Sequence, residues 1–139
     1  MAKIVLKDAW VSVNSVVLST RVKSVSFPIA PELLEAFAMG DNSKTKMVGL
    51  SDWSVDVEFY QDFTATAGQN VDATLWAVWS GGVAVPIGIR ATSAAASATN
   101  PQYGGNVVLA SYNPIGGTAG QVAMAPVKFE CGGDLTRTP

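Results

Sequence analysis

MGDNSKTKMVGLSDWSVDVEF, from Met39 to Phe59, joins a Gly-bounded polar loop to a run in which apolar and polar side chains alternate. In the second half Trp53, Val55, Val57 and Phe59 fall on one side and Ser54, Asp56, Glu58 and Tyr60 on the other. That two-residue period predicts a strand over Ser51 to Phe63 with one face in a core. The first half is longer than a connection requires. Hairpin loops commonly take about two to five residues, whereas Gly40 and Gly49 enclose Asp41, Asn42, Ser43, Lys44, Thr45, Lys46, Met47 and Val48. The surplus is either a surface loop that tolerates length cheaply or a contact element.

The same period recurs along the chain. Val11 and Val13 alternate with Trp10, Ser12 and Asn14, and Val16 and Leu18 resume after Asn14-Ser15, a hairpin whose turn type the residues leave open. Arg21 to Phe27 forms a further expected strand, ended by Pro28 and Pro31. ELLEAFAM, residues 32–39, suits a short helix or a strand about equally. One helix is clear: Asn70 or Asp72 can cap it, Val71, Leu75, Val78 and Trp79 recur at helical spacing, and Gly81-Gly82 stops it.

Val83, Val85, Ile87 and Ile89 then alternate, with Pro86 arguing for a sheet edge. ATSAAASATN, residues 91–100, has no period and reads as a loop. Val107 to Tyr112 and Val122 to Phe129 are the last expected strands, with Gly104-Gly105 and Gly116-Gly117 read as turns. Many short strands and one short helix predict a mainly β fold, a β-sandwich or small barrel of antiparallel strands, in a single domain over 1–139.

Composition narrows the chemistry. Charged residues are 14% of 139 and hydrophobic residues 48%, so much of the exterior must be small, hydroxylated or apolar, which favours a surface covered by neighbours. The net charge of -2 lacks the basic footprint of a nucleic-acid binder. With no His and one Cys, imidazole triads, Cys-His nucleophiles, the usual zinc sites and an internal disulfide are excluded. Cys131 reads as a small buried apolar side chain. Lys3, Lys7 and Asp8 interrupt the first apolar residues too early for a signal-peptide core, so export by that route is not expected. No apolar run reaches the length of a membrane span.

Asp56 and Glu58 share a strand face at a spacing that glycosidases use, but two carboxylates on one strand do not approach a substrate bond from two sides. Asp62 and Asp72 add acidic groups without the dense spacing of a calcium loop. The four Trp residues divide into Trp53 and Trp79, expected in the core, and Trp10 and Trp76, the better candidates for exposure. No catalytic residue, metal or cofactor is expected.

The order of these features resembles the major tail (tail tube) proteins of long-tailed bacteriophages. The resemblance rests on VSVNSVVLSTRVKSVSFP, on ELLEAFAMGDNSKTKMVGLSDWSVDVEFYQDF, on the helix VDATLWAVWSGG, on IRATSAAASATNPQYGG, and on the closing GQVAMAPVKFECGGDLTRTP with Gly133, Leu135, Thr136 and Arg137. It implies a structural virion protein: a β-sandwich with a flanking helix, hexameric rings, and stacking of rings into a hollow tube that passes DNA. It also turns ELLEAFAM toward a strand and makes the loop of Gly40, Asp41, Asn42, Ser43, Lys44, Thr45, Lys46 and Met47 the ring-stacking element. Asp56 and Glu58 become lumen-facing candidates, since an acidic lining lets DNA slide. The implied partners are other copies of the chain, a tape measure protein, and tail terminator or tail-tip proteins, with DNA only in transit and no membrane. The implied place is the virion tail, after assembly in the host cytoplasm. A phage-head decoration protein or a carbohydrate-binding module are the alternatives.

Overall fold

The structure, a computed structural model, describes residues 3–63 and 70–139. Its strands are β1 (Trp10–Val13), β2 (Val16–Val17), β3 (Val22–Ser26), β4 (Ile29–Glu35), β5 (Lys46–Tyr60), β6 (Val85–Arg90), β7 (Gln102–Tyr112), β8 (Met124–Cys131) and β9 (Thr136–Thr138), with one α-helix, α1 (Val71–Gly81), and a 3-10 turn at Ser19–Arg21 among the described residues. All pair antiparallel in the path β2-β1-β6-β7-β8-β5-β3, with β4 on β5 and β9 on β7. The expected mainly β fold with one short helix is what forms.

The alternation that predicts β5 also builds the core. Trp53, Val55, Val57 and Phe59 are buried, as are Val11 and Val13 of β1, Ile87 and Ile89 of β6, and Val127 and Phe129 of β8. Side chains from both ends of the strand path belong to this one cluster, so the sheet rolls around a single apolar interior. Helix α1 closes it with Val71, Leu75 and Val78. Asn70 caps the helix by accepting from the Ala73 N–H at 2.9 Å, and Gly82 ends it at φ 63 in the left-handed region. The Asn14-Ser15 turn is settled by φ values of 50 and 67, both positive, as a two-residue hairpin of the primed kind requires.

Several expectations need correction. Strand β5 begins at Lys46, not Ser51, so Lys46, Met47 and Gly49 are strand residues and the connection to β4 spans 36–45. Pro31 does not end a strand. It lies inside β4 at a register shift, where a missing N–H is tolerated. Pro86 lies in an interior strand, flanked by β1 and β7, and not at an edge. Its carbonyl accepts from Asn14 N at 2.8 Å. A strand residue's N and O share a side, so its nitrogen faces the hairpin turn where the β1 ladder ends, and no bond to β7 is lost.

Gly104 and Gly105 are not turn residues but lie within β7, near its start. A Cβ on Gly104 would stand 2.8 Å from the Ile87 carbonyl, and one on Gly105 would stand 2.6 Å from the Asp134 carbonyl. The pair marks close backbone approach, and β7 extends back to Gln102 through its pairing with β6 and β9. Strand β8 starts at Met124 instead of Val122, and Cys131 is half-buried beside Asp52, its Sγ 3.7 Å from Oδ1.

Trp79 is exposed. The buried stripe of α1 is narrow, and at 3.6 residues per turn Trp79 lies about 80° round the helix from Val71. It stacks instead on Trp76, with ring centroids 4.9 Å apart.

Candidate assembly surfaces

Strand β5 is 15 residues long, but only its second half belongs to the rolled sheet. Pairing with β8 runs from Ser54 to Tyr60 and with β3 from Asp56 to Phe59, whereas Lys46–Asp52 pairs with β4 alone. The first half of β5 and β4 therefore form a two-stranded arm, roughly 24 Å long at the rise of an extended strand. Both of its faces are exposed. Leu33, Leu34, Met47, Val48 and Leu50 stand on it, with Phe37 just beyond, and Val48 and Leu50 are 72% and 79% exposed. Isolated hairpins are marginal in water, so an apolar arm of this kind needs a cover.

At the arm's tip lie Gly40, at φ 96, and the polar residues Asp41, Asn42, Ser43, Lys44 and Thr45. Asp41 folds back to accept from the Ala38 N–H at 2.7 Å. Of the eight residues expected in a contact loop, six form this tip, while Lys46 and Met47 face Glu35 and Leu34 across the arm.

A second surface is polar. On the solvent side of β3, β5 and β8, Asp56 pairs across strands with Ser26 and Lys128, and Glu58 with Ser24 and Pro126. Ser24 Oγ donates to Glu58 Oε2 at 3.2 Å, and Lys128 Nζ is 3.7 Å from Glu130 Oε1. Lys128 and Glu130 share this face with the two expected carboxylates. Sequence reasoning missed both, although their alternation with Val127 and Phe129 carried the signal.

The third surface lies at the opposite end of the sheet from the arm. There Tyr60 pairs with Met124 and Tyr112 with Val127, and helix α1 starts beside them. Tyr112 donates to Asp72 Oδ1 at 2.8 Å and receives from Gln61 Nε2 at 3.2 Å, while Arg21 Nε meets Asp62 Oδ2 at 2.8 Å. Removal from water pushes the Tyr112 hydroxyl up to about 12; the Gln61 hydrogen bond opposes this and Asp72 adds to it. Trp76 and Trp79, 55% and 57% exposed, form a slot with Leu109, Ala110, Tyr112 and Pro114. Trp10 is half-buried under Arg90, whose guanidinium carbon is 3.8 Å from the ring centroid. Asp62 and Asp72 thus belong to a hydrogen-bonded strap, and among the described residues no three metal-ligating side chains converge.

A rolled antiparallel sheet with one capping helix and a long two-stranded arm defines the class of fold. No protein-family model matches the sequence, and no curated protein matches it. Solved structures do. A chain of the virion of a native gene transfer agent particle superposes with a TM-score of 0.73 at 10% identity, covering 95% of this chain and 96% of that one. The SPP1 tail tube gives 0.71 at 10% identity, over 94% and 76%. The tail of an empty gene transfer agent particle, refined with C6 symmetry, gives 0.67 at 10% identity, over 86% and 83%. The fold is the tail-tube fold.

Proposed function

We propose that the chain is a tail-tube subunit of a virion, forming hexameric rings that stack into a hollow tube for DNA. The observation that carries this is the division of its surface. One sheet face carries Asp56, Glu58, Lys128 and Glu130 beside Ser24, Ser26 and Ser111, with Tyr60 and Val108 as isolated exposed apolar groups, whereas the arm and helix expose clusters of large apolar side chains. On a tail-tube fold a wet face suits the lumen, and the apolar surfaces suit contacts between copies. The sixfold symmetry of the gene transfer agent tail favours a hexamer.

In this arrangement Asp56 and Glu58 line the channel, with a net acidic strip that repels passing DNA. The tip from Gly40 to Thr45, continued by Lys46 and Met47 of β5, reaches the next ring. A tape measure protein occupies the lumen before DNA does, terminator and tip proteins close the tube, and assembly precedes incorporation into the virion tail in the host cytoplasm. Light scattering after size exclusion, followed by negative-stain electron microscopy of the same fractions, tests the proposal. Rings or tubes of sixfold symmetry are the expected result, and a chain that stays monomeric at high concentration would overturn it.

A further inference from the structure

We infer that the apolar arm of one copy seats in the Trp76–Trp79 slot of the next copy along the stack; this rests on the tail-tube reading and names the contact that propagates it. The arm and the slot are separate surfaces of the domain, the slot running along β7 from Leu109, level with Phe129 and Val55, to Tyr112 and Pro114. The arm leaves the rolled sheet where Ser54 pairs with Glu130, and the slot lies toward the end where Tyr60 pairs with Met124. A contact between unlike surfaces is heterologous: it closes into a ring where the rotation closes and runs on along one axis where it does not. Stacking uses the open form, and a like-to-like contact between arms would stop at two copies.

Chemistry agrees. Leu33, Val48 and Leu50 share one face of the arm and Leu34 and Met47 the other, so one face offers on the order of 400 Å² of exposed side chain to a seat, about half of what each side of a standard protein interface buries. The slot answers with two tilted indoles, Leu109 and Pro114, a rigid aromatic seat of the kind that dominates interface energetics. No ionised side chain lines it. The arm needs a cover that its own domain does not provide, since its residues pair only with each other.

The full chain with Cys131→Ser, Val48→Cys and Ala110→Cys tests the seat, because Val48 and Ala110 are both exposed, one on the arm and one in the slot. A short bismaleimide should convert assembled material into a covalent ladder that runs past six copies, which a contact closed within one ring cannot give, while either single-cysteine chain should give dimers at most. In parallel, Trp76→Ser with Trp79→Ser should keep an unchanged circular dichroism spectrum and form rings that do not stack. Tubes as abundant as native from that double variant, or tubes of the two-cysteine chain that yield no such ladder, would overturn the seat and leave the tail-tube reading standing. Absence of rings and tubes from the native chain would overturn both.

Discussion

Asp56 of β5 and Lys128 of β8 stand directly opposite each other on the solvent face of the sheet, with Glu58 and Glu130 on the same face. Three carboxylates against one ammonium leave this strip acidic at neutral pH. Exchanging Asp56 and Glu58 for Lys reverses its sign without touching the core, and by setting Lys opposite Lys128 and removing the Ser24 hydrogen bond should cost the folded subunit about 1 kcal/mol. Assemblies of this variant should retard a short DNA duplex in a gel, with retardation lost as salt rises. Native assemblies should leave the duplex unretarded. Equal mobility for both would place the strip away from any DNA path.

Gly105 and Gly133 make opposite predictions for the same substitution. A Cβ on Gly105 would meet the Asp134 carbonyl at 2.6 Å and the Trp53 ring at 3.0 Å, both held by the core and by the Trp53 Nε1 hydrogen bond to the Gly133 carbonyl. Gly105→Ala should therefore cost about 1–3 kcal/mol, visible as a lower midpoint in urea denaturation. At Gly133 the nearest contact is an ordinary 3.5 Å, so Gly133→Ala should shift the midpoint little.

The narrow buried stripe of α1 separates two apolar residues four apart. Leu75 is fully buried and Trp79 is 57% exposed. Leu75→Ala leaves a cavity and should cost about 2–5 kcal/mol. Trp79→Ala removes a larger side chain, yet should cost under about 1 kcal/mol, since most of its surface is already in water. Thermal denaturation of the two variants below the concentration at which the chain assembles would show the reversed order if Trp79 were a core residue.

Period-two patterning was enough to place most strands, because a half-buried strand must alternate. It failed where alternation has no meaning. Along Lys46–Asp52 both faces are exposed, so Met47, Val48 and Leu50 obey no burial period, and the strand could be read as loop. Gly104 and Gly105 carry no side chain to alternate, and their role depends on the Ile87 and Asp134 carbonyls far away in sequence. Pro86 misled for a related reason: which side of a strand its nitrogen faces is fixed by register, and register is set by partners. The polar face was half legible. Asp56 and Glu58 declared themselves through β5, but Lys128 joined them only once β5 and β8 were seen to pair.

Tyr112 makes the alkaline limb of stability a test of the strap that joins the sheet to the start of α1. Its hydroxyl is pushed from 10.0 up to about 12, first by removal from water and then, against the Gln61 hydrogen bond, by donation to Asp72. The folded chain therefore favours the neutral phenol. Below the ordinary tyrosine value both states keep the proton, and the group adds no pH dependence. Between the two values the unfolded chain loses the proton while the folded chain holds it, so stability falls as pH rises through this window, and the loss is complete above the folded value. Tyr112→Phe removes the titrating group, and should cost about 1 kcal/mol near neutral pH for the lost hydrogen bonds. Its disadvantage relative to the native chain should then shrink as pH rises from about 8 to about 11, measured by urea denaturation at each pH. A constant gap between the two chains across that range would mean that Tyr112 titrates alike in the folded and unfolded states.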